Sequence, residues 1–148
     1  MTVVKWNPSQ SGCVHKLNVA ISQSKKSASV GFGLIIRNNL GEVLVASCDR
    51  TKKKINTLGT VACVMRKAQL FCQNISFSKV QLEYNFMELV DLLNSNRTCS
   101  LEVAWIFEDI SIIRDSFIFI SFTSTLLRCN CAALALANAA KEKEEAIV

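Results

Sequence analysis

The segment "KLNVAISQ", residues 16–23, alternates apolar side chains with small or polar ones. Leu17, Val19 and Ile21 form the apolar set, and this period of two predicts a half-buried strand rather than a helix. Ala20 belongs to the other set, in the middle of the strand. We expect this strand to organise the fold, because the segments that follow it have the length and pattern of strands that pair back onto it.

Two more predicted strands follow after short polar turns. The turn "QSKKSA" leads into "SVGFGLIIRN", residues 29–38, and the turn "NNLGE" leads into "EVLVASC", residues 42–48. Asn and Gly in the second turn tolerate the positive φ angles of tight connections, which predicts an antiparallel meander. Gly31 and Gly33 fall inside the second strand, where they indicate a bulge or a close backbone approach.

The rest of the chain alternates between helical and strand patterns. The predicted elements are a helix from Thr57 to about Asn74, a strand over 79–85, a helix over 86–94, a helix from Leu101 to Arg114, a strand over 117–124 and a helix from about Asn130 into the charged segment 141–145. Three antiparallel strands followed by this alternation predict an α/β fold with a mixed sheet. Its later strands should run parallel to the first through helical crossovers.

Length and composition favour one domain. The chain has 148 residues, half of them hydrophobic, which is enough to fill a single core. We therefore expect one domain over residues 1–148, with its core at about 6–140 and a charged tail at 141–148. The longest uncharged runs, 116–127 and 129–140, are shorter than the roughly 20 apolar residues of a membrane-spanning helix.

The cysteines are odd in number and scattered along the chain. Seven cysteines in this distribution favour reduced, buried thiols and an intracellular location, cytoplasmic or nuclear. The closest pair is Cys129 and Cys131, and His15 is the only histidine. Because this lacks the ligand spacing of a zinc site, we expect no metal site here.

Positive charge is concentrated in the first 54 residues. The net charge is +5, and this segment holds nine lysines and arginines against two acids. Such asymmetry is typical of a surface that meets phosphates, although lysines in solvated turns give the same pattern. The candidate nucleic-acid-binding residues are Lys25, Lys26, Lys52, Lys53 and Lys54. Trp6, Phe32 and Trp105 are not interleaved with these lysines, which gives little support to base stacking.

The order of these motifs resembles one known family. The run "W-N-P…G-C-V-H-K-L-N-V…V-G-F-G-L-I-I-R-N-N-L-G-E-V-L-V-A-S", the segments "FSKVQLEYNFMELVDLLN" and "FEDISIIRDSFIFISF", and the closing Ala-Leu-rich helix are similar to ribonuclease H-like domains of plant proteins related to non-LTR retroelement reverse transcriptases. The resemblance covers about residues 6–140. It implies a five-stranded mixed sheet with flanking helices, in agreement with the pattern above.

The resemblance also implies a chemistry. Active members hydrolyse the RNA strand of RNA–DNA hybrids with two magnesium ions, which carboxylates hold at the centre of the sheet. The four acids of that pattern, which we call the family acid positions, fall on Ala20, Val61, Asn85 and Leu134. The histidine that usually follows the fifth strand falls on Ser124. None of the catalytic residues of the family is therefore intact.

These replacements lead to three hypotheses. The first is a catalytically silent ribonuclease H-like domain that retains sequence-independent binding to nucleic acid, with no cofactor. The second is a protein-interaction module or a decayed retroelement fragment. The third is an active magnesium-dependent hybrid ribonuclease, which would have to rebuild a metal site from acids such as Glu83, on the same strand face as Asn85.

Overall fold

The computed structural model describes residues 14–23, 26–54, 57–85, 90 and 101–146, without the side chains of 101–103 and 142–146. Its strands are β1 (His15–Ser22), β2 (Ser29–Arg37), β3 (Val43–Lys52), β4 (Lys79–Tyr84) and β5 (Phe119–Ser124). Its helices are α1 (Thr57–Asn74), α2 (Leu101–Arg114) and α3 (Cys131–Ala146), with a short 3-10 turn over Leu127–Cys129. The predicted helix over 86–94 lies outside the described residues, except for Val90.

The strands form one five-stranded sheet in the order β3-β2-β1-β4-β5. β1 pairs antiparallel with β2, and β2 pairs antiparallel with β3. β4 runs parallel to β1, and β5 runs parallel to β4. The predicted α/β fold with a mixed sheet is confirmed, and the helices predicted from Thr57 to about Asn74 and from Leu101 to Arg114 match α1 and α2.

The alternation along β1 separates two layers of packing. Leu17 and Val19 are fully buried in the main core, together with residues of α1 such as Val61 and Met65. Ala20 instead belongs to a smaller cluster on the α3 side of the sheet, with Ala133 of α3. Because successive side chains of a strand point to opposite faces, Leu17 and Val19 face the main core, whereas Ala20 faces α3.

Gly31 and Gly33 allow α3 to approach the sheet. A Cβ atom at Gly33 would meet the carbonyl oxygen of Ala133 and would lie 2.7 Å from the Cβ of Leu136. A Cβ at Gly31 would collide with the next turn of the same helix. The Gly-x-Gly pattern thus reflects the predicted close backbone approach; the register irregularity between β2 and β3 lies at Ile36 and Arg37 instead.

The described cysteines carry no disulfide, and their burial varies. Cys63 and Cys72 on α1 are buried, whereas Cys48 and Cys129 are half-buried. Cys131 is exposed at the first residue of α3, so the expectation of buried thiols is wrong for this residue. Cys131 lies on the solvent side at the start of α3, whereas Ala133, two residues later, packs against the sheet. Among the described helices, none combines the length and apolar character needed to cross a membrane.

Candidate functional site

The candidate site lies at the carboxyl ends of β1 and β4. After β1 the chain turns into β2 on one side of the strand, while β4 joins from the other side. In α/β sheets, ligands bind in the crevice outside strand ends where the chain order reverses in this way. All four family acid positions lie within the described residues, so the location of each relative to that crevice is known.

Ala20 lies at this end of β1 and is 1% exposed. It is opposite Gly33 of β2 and packs with Ile35 of β2 and Ala133 of α3. Leu134, the next residue of α3, is half-buried against the same cluster. Two of the family acid positions are therefore brought together, and both contribute hydrocarbon to a small apolar layer under α3.

Asn85 follows β4 and is bonded to a residue that sequence analysis did not single out. The Nδ2 of Asn130 donates a hydrogen bond to the Oδ1 of Asn85 at 3.1 Å, and it also donates to the carbonyl oxygen of Val19. The parallel ladder between β1 and β4 ends at Asn18 and Glu83, so Asn130 satisfies a carbonyl just beyond it. In the sequence, Asn130 marked only the approximate start of the last predicted helix.

Glu83 is the carboxylate two residues before Asn85, and both of its oxygens are engaged. The Nζ of Lys16 lies 2.9 Å from Oε1, and the Nδ2 of Asn18 donates to Oε2 at 3.1 Å. The residue is 8% exposed. Burial lowers the pKa of the Arg37 guanidinium, and the negative charge of Glu83 opposes that shift. Glu83 thus has a structural role in a buried network of charges.

Ser124 and Val61 occupy different surroundings. Ser124 is exposed at the end of β5 and is opposite Tyr84, whose carbonyl accepts a hydrogen bond from the Thr125 N–H at 3.0 Å. Val61 is 1% exposed and packs in the main core, which also contains the Tyr84 ring. Burial raises the pKa of Tyr84 to about 12. Ser124 therefore lies at the same end of the sheet as Asn85, while Val61 belongs to the α1 layer.

This arrangement does not fit a pair of magnesium ions. Magnesium requires oxygen ligands, usually carboxylates, in near-octahedral geometry. Ala20, Val61 and Leu134 supply no oxygen from their side chains, and Glu83 is held by Lys16 and Asn18. Within the described ranges, no three side chains of His, Cys, Asp or Glu come together in a way that could hold a metal ion.

The candidate lysines gather at the same end of the sheet. β1 ends at the turn that carries Lys26, and the backbone N–H of Lys53 donates to Ala28 in this turn at 2.9 Å. Lys52 closes β3 opposite the start of β2. We call Lys26, Lys52, Lys53 and Lys54 the lysine cluster; Lys25 lies outside the described residues. Lys53 is half-buried, and the other three are exposed.

One aromatic side chain lies beside this cluster. The Nζ of Lys54 is 5.8 Å from the ring centroid of Trp105 on α2, and Trp105 is 49% exposed. Trp105 is not interleaved with the lysines along the chain, which offered little support to base stacking. Folding nevertheless brings α2 next to the start of α1 and places Trp105 beside Lys54. Phe32 is buried in the core, and Trp6 lies outside the described residues.

Comparisons with known proteins agree with this architecture. A model of the reverse transcriptase-like family matches residues 17–140. No curated protein matches the sequence. Three solved structures are similar: RNase H1 of the halophilic archaeon Halobacterium salinarum, at 13% identity and a TM-score of 0.78 over 88% of this chain and 98% of that one; the N-terminal RNase H domain of a Mycobacterium tuberculosis protein, at 11% identity and 0.74 over 88% and 94%; and LC11-RNase H1 in complex with an RNA/DNA hybrid, at 16% identity and 0.69 over 88% and 98%.

Proposed function

Because this chain belongs to the reverse transcriptase-like family and has the ribonuclease H fold, we propose that it binds nucleic acid without cleaving it. The observation that carries the proposal is the joint state of the four family acid positions. Ala20 and Leu134 contribute hydrocarbon to the apolar layer between α3 and the sheet, and Val61 is buried in the main core. The fourth position, Asn85, is an amide bonded to Asn130. The family match also supports descent from a retroelement reverse transcriptase, and the proposed partner favours a cytoplasmic or nuclear location.

The proposed loss of catalysis follows from the ligands that magnesium needs. Removing a hydrogen-bonding partner of a metal ligand already costs 10–100-fold in affinity or activity. Here the ligands themselves are replaced, so the cost should be far larger. Asn85 offers one neutral oxygen, which already accepts a hydrogen bond from Asn130. We therefore assign no cofactor to the protein.

The proposed binding rests on the lysine cluster. Its members lie at one end of the sheet, beside the half-exposed ring of Trp105. Lysine contacts with phosphates are independent of sequence and weaken with salt, because binding releases counterions from the nucleic acid. LC11-RNase H1 has been solved in complex with an RNA/DNA hybrid. That structure supports the choice of a hybrid as the first ligand to test.

The binding test is a polarisation titration of a labelled RNA–DNA hybrid at several salt concentrations. We expect binding at low salt with a negative slope of log affinity against log salt. The double variant Lys52→Gln/Lys54→Gln should make that slope less negative by roughly one to two. Each phosphate that the protein no longer neutralises changes the slope by about 0.7–0.9. The control Lys67→Gln/Lys79→Gln removes the same charge from α1 and from the opposite end of β4 and should leave the slope unchanged. No binding at low salt would refute the proposal.

The test of catalytic silence is a cleavage assay on the same hybrid with magnesium. We expect no cleavage above the level of a heat-denatured sample. Magnesium-dependent cleavage by the unaltered protein would overturn this part of the proposal. Glu83→Gln then tests whether Glu83 belongs to a rebuilt site, provided that circular dichroism shows the variant to be folded, because the substitution removes the buried partner of Lys16.

A further inference from the structure

A crevice of about 110 Å³ lies where α3 starts against the sheet. We call it the α3 crevice. The described residues that line it are Asn18, Arg37, Arg128, Cys129, Asn130, Cys131, Ala132 and Ala133. It has room for a group several waters in size. The α3 crevice is separate from the lysine cluster. Its two residues from the sheet are Asn18, on the face of β1 that packs against α3, and Arg37, at the end of β2.

The electrostatics of the α3 crevice favour an anion. Arg37 and Arg128 contribute two guanidinium groups, and none of the described lining residues is acidic. The nearby carboxylate of Glu83 is already paired with Lys16 at 2.9 Å. The first backbone N–H groups of a helix have no partners within the helix and carry partial positive charge. The first turn of the 16-residue α3 lines the crevice, so this end of the helix adds to its positive potential.

A second observation concerns the side chain of Asn130. This residue is 1% exposed and lines the crevice. Its Nδ2 is used by Asn85 and by the carbonyl of Val19, but no described residue donates a hydrogen bond to its Oδ1. A buried acceptor without a donor is unfavourable, because it has lost its hydrogen bonds to water and gained none. A ligand that presents a hydroxyl here would remove this cost, in addition to any contact with the arginines.

We propose that the α3 crevice binds a phosphate group, with Arg37, Arg128 and the first turn of α3 meeting its oxygens and Asn130 accepting a hydrogen bond from a hydroxyl next to or on it. A ribose phosphate of RNA presents both groups, and so does a free nucleotide or a protonated phosphate. This proposal deepens the nucleic-acid function proposed above and rests on it for the natural source of the phosphate. Paired guanidinium donors are suited to this role, because their N–H groups match phosphate oxygens.

The first experiment uses the full chain, inorganic phosphate and uridine monophosphate as probes, and amide chemical shifts as the readout. We expect saturable shifts at Asn130 and Cys131–Ala133. Arg128→Gln removes an exposed side chain, so the variant should fold, and it should weaken both ligands about tenfold. Lys67→Gln, on α1, removes the same charge and should leave both affinities unchanged. Shifts confined to the lysine cluster, with none at Asn130 and Cys131–Ala133, or equal affinities for the two variants, would overturn the proposal.

The second experiment repeats the hybrid titration with the same two variants. Weaker hybrid binding by Arg128→Gln than by Lys67→Gln would identify a backbone phosphate as the occupant. Equal hybrid binding together with weakened uridine monophosphate binding would identify a free nucleotide. If the hybrid does not bind even the unaltered protein, the proposed function fails, while the phosphate shifts still decide the crevice. An adventitious ion only, with millimolar affinity that Arg128→Gln does not change, would refute the site.

Discussion

Lys16→Met should lower the free energy of unfolding more than most single substitutions that leave the volume of the core almost unchanged. Lys16 and Glu83 form an ion pair of 2.9 Å with side chains only 6% and 11% exposed. Removing one partner of a buried pair leaves an uncompensated charge, which costs about 3–5 kcal/mol. With a urea dependence of about 2 kcal/mol/M, the midpoint of unfolding should fall by roughly 1.5–2.5 M.

The chain offers a matched control for this prediction. Arg66 and Asp109 form a pair of similar length, 3.1 Å, but their side chains are 36% and 40% exposed. Exposed pairs contribute about 0–1 kcal/mol, so Arg66→Met should lower the midpoint by less than about 0.5 M. The double variant Lys16→Met/Glu83→Met removes both charges and should be more stable than Lys16→Met alone. Equal urea midpoints for Lys16→Met and Arg66→Met would refute the reasoning.

Three further predictions concern packing and ionisation. Gly33→Ala should lower the free energy of unfolding by at least about 1–3 kcal/mol, because its Cβ would collide with Ala133 and Leu136 of α3; an unchanged urea midpoint would contradict the close packing. Tyr84 is the only tyrosine, and its pKa is raised from 10.0 to about 12, so the stability that Tyr84 contributes should be constant below pH 10 and fall as the pH rises between these values; a tyrosinate absorbance midpoint at pH 10 in the folded protein would contradict this. A thiol reagent should label exposed Cys131 in the native protein, whereas buried Cys72, with a pKa raised to about 12, should react only after unfolding; equal labelling by mass spectrometry would refute the assignment.

Much of the fold could be predicted from the sequence because its signals are local. The alternation of Leu17, Val19 and Ile21 identified β1, and the helical spacing of apolar residues between Thr57 and Asn74 predicted the bounds of α1. Gly31 and Gly33 indicated a close approach but not the element that approaches. That element is α3, which lies about a hundred residues later in the chain.

The candidate site was predicted only in part, because its contacts join distant segments. The resemblance located Ala20 and Asn85, but the side chain that links their strands comes from Asn130, 111 residues after Val19. A cap residue whose side chain turns away from its own helix has no signature in the sequence. The contact between Lys54 and Trp105 likewise depends on how α2 packs beside α1. Long-range pairings of this kind require the three-dimensional fold.

The burial of Ala20 has a consequence for how this chain can evolve. An aspartate restored at this position alone would bury a charge among Ile35 and Ala133, with no metal to neutralise it. A metal could bind only after acids had been introduced at the other family acid positions as well. Under the proposed function, a gain of catalysis would therefore require several substitutions before the first benefit. The apolar packing under α3 would then act as an evolutionary ratchet.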